Sequence, residues 1–275
     1  KLNCSYYAAW NFFQFDRILL FWFLSYYYSS PFRYYLSVIT EFTKKFKNFR
    51  LDYVMKLQFI YGDMPFWRAE VGRVALYFGD IDFDDVRIKK DEFLHLKENG
   101  KLFNGISIPF HQIPCLVIDN VSIAQTGAIA RFCGKLSGLY PKNDPIEAAK
   151  IDQFIDFVTD LNVLFSNTNT ISEQTKKVAA RTELAEGLLR RKLLMLENCI
   201  QPDSKWVSSK TITIADIAIW RLLGWFTSGV IDGFPKDMIT LFPKLKRLCL
   251  AVDNHEKIKS WVQKTYPNNY PRGNF

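Results

Sequence analysis

Histidine is scarce in this chain of 275 residues: His95, His111 and His255 are the only three, and none has an HxxxH partner at helical spacing. The five cysteines, Cys4, Cys115, Cys133, Cys199 and Cys249, form no CxxC and no regular spacing. A disulfide scaffold and a zinc module are therefore not signalled, and a reduced, intracellular setting without a metal requirement is expected. Concentrated charge is missing too. The net charge is +8, but residues 1–54 hold seven Lys or Arg against three Asp or Glu, and the remainder 29 against 25. A nucleic-acid binder clusters its cations to displace counterions, so nucleic acid is not expected as a partner.

Nor is there a long apolar run. The longest uncharged apolar and aromatic stretch, between Arg17 and Pro31, falls short of the roughly 20 apolar residues of a spanning helix. What is plentiful is aromatic and aliphatic content: 48% of the chain is hydrophobic and 16% aromatic, which rules out a disordered or fibrous protein. Residues 1–54 hold 19 of the 44 Phe, Trp and Tyr. Three readings of that segment stay open: a targeting or signal-anchor leader, an amphipathic membrane-surface segment, or sequence outside the natural mature protein. Met55, where ordinary composition begins, is taken as the functional start. A cytoplasmic location follows, with membrane association as the alternative if the leader is real.

From Met55 onward strand and helix patterns alternate. MKLQFIY reads as a strand stopped by Gly62, and Pro65 as the start of a helix running through WRAEVGRVALYF. Residues 81–87 read as a second strand, and DEFLHLKENG as a short helix closed by Gly100. KLFNGISIPFHQ is a polar loop. IPCLVID and VSIAQ, joined at Asp119-Asn120, predict an antiparallel hairpin feeding the helix TGAIARFCGKL. The order is βαβ followed by ββα. Beyond the Gly-, Pro- and Asn-rich stretch SGLYPKNDP no segment alternates like a strand. Ile151, Phe154, Ile155 and Val158, and then Leu189, Leu193, Leu196 and Ile200, form helical stripes. Thr213-Ile-Ala-Asp216 is a capping box with Ile212 and Ile217 as its staple. The expected division is 1–54 leader, 55–137 α/β domain, 138–145 linker and 146–275 all-α domain.

KLQFIYGDMPFWRAE, PFHQIPCL, IAQTGAIARF, LYP, EAAKIDQFIDFVTDL and TITIADIAIW, in that order over residues 55 to about 265, resemble the cytosolic glutathione S-transferases of the sigma-like, tyrosine-dependent branch. The resemblance implies a thioredoxin-like domain followed by a helical domain, a homodimer, and glutathione as co-substrate with no other cofactor.

Glutathione's thiol resembles free Cys, with a pKa of about 8.5, so about 3% is thiolate at pH 7. A hydroxyl donor that lowers this pKa by about two units makes the anion the majority species, at roughly 2.7 kcal/mol of differential stabilisation. Tyr61, at the end of the first strand, stands where the resemblance implies such a donor. Its bland reading is a strand-end core aromatic, and the stretch to Arg68 is longer than relatives have. No Cys lies between residues 61 and 69, where a cysteine-dependent redox or transferase site would need one at the helix start.

The resemblance further implies that Ile113 and Pro114, through a cis peptide bond, turn main-chain groups toward the cysteinyl part of glutathione. Gln125 and Thr126, at a helix start, would hold the γ-glutamyl group, where Thr126 also reads as an N-cap. Lys97 and Gln112 would flank the glycyl end, Phe93 stands in the glutathione-binding set where relatives often have Trp and so lacks an indole donor, and Asp160 would reach glutathione on the partner subunit. By spacing alone Asp152, Asp156 and Asp160 form a solvated stripe. Phe66, Trp67, Trp220 and Trp225 are candidates for the electrophile wall or simply for core. Two functions stand: conjugation of glutathione to apolar electrophiles, in the manner of detoxification, or a catalytically weak or inactive glutathione-binding or structural member of the same fold.

Overall fold

The computed structural model describes residues 55–208 and 210–275. The leader readings for residues 1–54 lie outside the described residues. Among those described, no helix is long and apolar enough to cross a membrane.

Four strands form one mixed sheet in the order β2-β1-β3-β4, where β1 is Leu57–Gly62, β2 Asp84–Ile88, β3 Cys115–Ile118 and β4 Val121–Ala124. β2 runs parallel to β1, which requires a crossover, and β1–β3 and β3–β4 are antiparallel. The crossover is α1 (Glu70–Phe78); α2 (Lys90–Asn99) precedes β3, and α3 (Thr126–Ser137) follows the hairpin. Strand parity decides what each face does. Leu57, Phe59 and Tyr61 of β1 and Leu116 of β3 join one core with α1, α3 and the C-terminal helices. Ile60, Cys115 and Val117 face the opposite way, toward Ile88 and Leu96. Tyr61 thus ends the strand on the side shared with the helical half.

The expected elements form in the expected order, with one helix start corrected. Helix α1 begins at Glu70, not at Pro65. Residues 63–69 are a loop because Phe66, at φ 58°, turns its ring into the core against Trp220, 4.8 Å away edge to face. A non-glycine residue in that backbone region is uncommon and strained, and burial of the ring offsets the strain. The second strand also begins later than expected, at Asp84. Gly100 closes α2 at φ 68°, the left-handed conformation that a helix C-cap glycine supplies. The stretch from Lys101 to Ile108 is more structured than a polar loop: Lys101 bridges Ser107, and Leu102 and Ile108 are buried in the second core.

The helical half comprises α4 (Pro145–Asn167), α5 (Gln174–Glu186), α6 (Leu188–Cys199), α7 (Ile214–Thr227), α8 (Pro243–Asp253) and α9 (Glu256–Thr265). Both expected stripes are buried. Asp144 caps α4 by accepting from the Ile146 and Glu147 amides at 3.0 and 2.9 Å. The aspartate face of α4 is not merely solvated. Arg131 of α3 donates to Asp152 at 2.6 Å and to Asp156 at 2.7 Å, and Tyr140 donates to Asp152 at 3.0 Å, tying α3 to α4.

Helix α7 is buried on every side from Ile214 to Thr227, as expected of a helix apolar all round. Its capping box is formed: the Asp216 carboxylate accepts from the Thr213 amide, and from the Val207 amide, at 2.8 Å each. Burial pushes the Asp216 carboxyl up to about 6. Thr213→Ala is expected to destabilise the protein by about 1 kcal/mol, lowering Tm by roughly 2–4 °C in thermal unfolding. An unchanged Tm would mean that the box does not hold the start of this core helix.

Candidate active site

A cavity of about 590 Å³ opens where β1 ends, lined by Tyr61, Met64, Trp67, Arg68, Phe93 and Ile113 among others. Its size suits a small organic ligand, and its walls are mainly apolar with few polar groups.

Tyr61 is 7% exposed: it belongs to the core and is also one of the residues that line the cavity. Burial raises the phenol above its ordinary pKa, while the charges of Arg68, Arg221 and Arg73 and donation from the Arg68 amide pull the other way. The net result is a neutral phenol at physiological pH, a hydroxyl able to donate to an anion while its oxygen accepts from a backbone amide.

A chain of charges holds the loop that carries Arg68. Arg73, fully buried, donates to the Met64 carbonyl at 3.2 Å and pairs with Asp85 at 2.8 Å. Asp85 also pairs with Arg87 at 2.9 Å, and Arg87 with Asp63 at 3.1 Å on the rim of the cavity. On the inner side Arg73 lies 3.7 Å from Glu70, whose carboxylate accepts from Trp261 Nε1 and, at 2.7 Å, from the Tyr266 hydroxyl. Tyr270 donates to the Pro65 carbonyl at 3.1 Å, so the last residues also fasten this loop. Arg68 itself donates to Ser166 of α4, and Trp67 packs on Trp225 with ring centroids 4.5 Å apart.

The structure brings together three of the residues expected at a site: Tyr61, Phe93 and Ile113 line the one cavity. The Ile113–Pro114 peptide is cis, and Pro114 is buried beneath it. Lys97 and Gln112 are exposed, the Lys97 ammonium lying 6.0 Å from the Phe93 ring centroid. Gln125, not Thr126, is the N-cap of α3, at φ 72° and without a side-chain cap bond, and Thr126 opens the helix. Asp160 is exposed on α4, one turn beyond Asp156. Of the aromatics, Trp67 lines the cavity, whereas Phe66, Trp220 and Trp225 are core. Two participants escaped the sequence reading. Arg68 carried a signal in the Arg-Ala-Glu run, and Arg221 another as a lone cation amid IADIAIWRLLGWF.

Among the described residues no cysteine lines this cavity. Burial lifts the Cys115 and Cys133 thiols to about 11 and about 12 respectively, and the Cys249 thiol well above its ordinary value. Among the described residues no group of His, Cys, Asp or Glu is placed to hold a metal ion.

The fold is a thioredoxin-like domain followed by an all-helical one, of the type seen in the glutathione S-transferases. Residues 159–265 match the family described as "Glutathione S-transferase, C-terminal domain". The chain is 28% identical over 197 residues to a hematopoietic prostaglandin D synthase of Gallus gallus, covering 72% of this chain and 90% of that one. It is 28% identical over 199 residues to glutathione S-transferase 1 of Ascaris suum, covering 70% and 89%. In three dimensions it resembles prostaglandin synthase D of Nilaparvata lugens, with a TM-score of 0.66 at 24% identity over 77% of this chain and 99% of that one. Residues 159–265 thus match a glutathione S-transferase C-terminal domain, and over about 70% of its length the chain is similar to curated glutathione S-transferases and a prostaglandin D synthase.

Proposed function

We propose that this chain conjugates the thiolate of glutathione to apolar electrophiles, with the Tyr61 hydroxyl donating to the sulfur. The observation that carries this reading is the position of Tyr61: a buried, neutral phenol at the edge of a largely apolar cavity, among three arginines. In the reaction the thiol proton leaves to solvent and the sulfur's electron pair forms a bond to the electrophilic carbon. The leaving group then departs with its bonding pair or, in an addition, a proton from water completes the product. Met64, Trp67 and Ile88 supply apolar wall for the electrophile, and Lys89 and Lys90 stand at the same cavity.

Phe93, Lys97, Gln112, Ile113, Pro114, Gln125 and Thr126 form the proposed glutathione-binding set. In a homodimer, Asp160 of one subunit contributes to the site of the other, and an exposed carboxylate on α4 suits that role. Residues 55–137 and 146–275 are the proposed domains, joined by 138–145, and the cytoplasm is the proposed location. Isomerisation of a prostaglandin precursor is a second use of the same thiolate, favoured by the names of two of the relatives above.

The test is retention on immobilised glutathione together with turnover of a chloronitroarene. Retention with turnover is expected. Retention without turnover of a panel of electrophiles would leave a glutathione-binding protein, and failure to bind would sink the reading altogether.

A further inference from the structure

Helix α7 runs beneath the loop that carries Arg68. Trp220 packs on Phe66 and Trp225 on Trp67, and Gly224 allows this approach, since a Cβ there would lie 2.3 Å from the Phe66 ring. Between Trp220 and Gly224 stands Arg221, 0% exposed, on a helix otherwise almost entirely apolar. Its Nε and Nη2 have no hydrogen-bond partner, and its Nη1 has only a 3.4 Å bond to Asn162 Oδ1 of α4. A buried guanidinium without a carboxylate is costly, and a Leu or Met would fill the same space without that cost. Packing therefore does not explain the residue.

The charges around it do. The charges that act on Arg221 are those of Arg68 in the loop, Tyr61 at the end of β1 and Glu70 in α1, while α4 presents the uncharged Asn162. Arg73 of α1 acts on Tyr61 as well. The only carboxylate in this set, Glu70, is already engaged by Trp261, Tyr266 and Arg73. Three arginines thus act on one phenol, and the two carboxylates that answer them, Glu70 and Asp85, both pair with Arg73, which among the described residues leaves Arg68 and Arg221 without a carboxylate partner and favours an anion at the phenol's far side. Burial draws Arg221 down to about 10, which leaves it cationic at neutral pH.

We propose that Arg221 is a positioning residue of the Tyr61 site, its buried charge favouring the glutathione thiolate that the Tyr61 hydroxyl holds. It acts through Tyr61 and does not line the cavity. The proposal rests on the reading of Tyr61 given above.

The experiment titrates the thiol of bound glutathione by the ultraviolet absorbance of the thiolate, in wild type, Tyr61→Phe, Arg221→Met, Arg221→Lys and Asn162→Asp. Wild-type protein with a thiolate band at neutral pH, lost in Tyr61→Phe, establishes the site; its absence in wild type would defeat the Tyr61 reading itself. Given that band, Arg221→Met is expected to raise the thiol midpoint by about one unit, a tenfold loss of thiolate on the acid side, with Arg221→Lys restoring part of it. Asn162→Asp separates this role from a structural one. A carboxylate at that position neutralises the guanidinium while giving up the Asn162 donation to the Val158 carbonyl at 2.9 Å, so the thiol midpoint should rise whatever the change in Tm. A purely structural arginine would leave the midpoint unchanged. Unchanged midpoints in Arg221→Met and Asn162→Asp would overturn the proposal, and if Arg221→Met does not fold, Asn162→Asp decides alone.

Discussion

Tyr61→Phe is expected to reduce kcat/KM for a chloronitroarene by about 25-fold at pH 7, approaching 100-fold below pH 6 and vanishing above about pH 9. The profile follows from thiolate populations. With the hydroxyl, a thiol lowered by about two units to near 6.5 is roughly three-quarters ionised at pH 7; without it, a thiol near 8.5 is about 3% ionised. At low pH both populations fall tenfold per unit and the ratio reaches its limit. At high pH both thiols are ionised and the hydroxyl is no longer needed. Phe keeps the ring, which is in the core with Leu57 and Phe59, so Tm should move little. A loss of activity constant from pH 6 to pH 9.5 would show that Tyr61 serves structure or binding, not ionisation of the sulfur.

Glu70→Ala is expected to be the most destabilising single change near the site, by about 3–5 kcal/mol, lowering Tm by roughly 6–20 °C. Glu70 is almost fully buried and is the acceptor on which Trp261 of α9 and Tyr266 converge, and the inner partner of Arg73. Truncation strands both donors and leaves Arg73 with Asp85 as its remaining carboxylate. Glu70→Gln retains an acceptor for Trp261 and Tyr266 while removing the charge, and should cost about half as much. Thermal denaturation of the two variants measures the difference. A loss below about 1 kcal/mol for Glu70→Ala would mean that the buried carboxylate is not what joins α1 to the C-terminal residues.

What was legible in the sequence is whatever short-range chemistry dictates. MKLQFIY reads as a strand stopped by Gly62 with Tyr61 near its end, and that strand forms, its Leu57, Phe59 and Tyr61 on the face buried toward the helices. The Asp119-Asn120 turn, the stripes on α4 and α6 and the Thr213–Asp216 box each depend on residues within a few positions of one another, and each formed as read. The start of α1 was not legible, because it depends on Phe66 meeting Trp220 and Tyr266, partners more than 150 positions away. The pairing of the aspartate stripe on α4 is not legible for the same reason: Arg131 reaches Asp152 and Asp156 from another helix.

The amino-acid order alone thus determined the succession of elements, the class of fold and the tyrosine at the strand end, since periodicity, caps and turns are local properties of a chain. Only the tertiary structure decided that Tyr61, Phe93 and Ile113 share a cavity and that Arg68 and Arg221 bring charge to the phenol. Those groups are neighbours solely because burying apolar surface folds distant segments onto one another, and a side chain's electrostatic partners are fixed by that folding, not by its position in the chain.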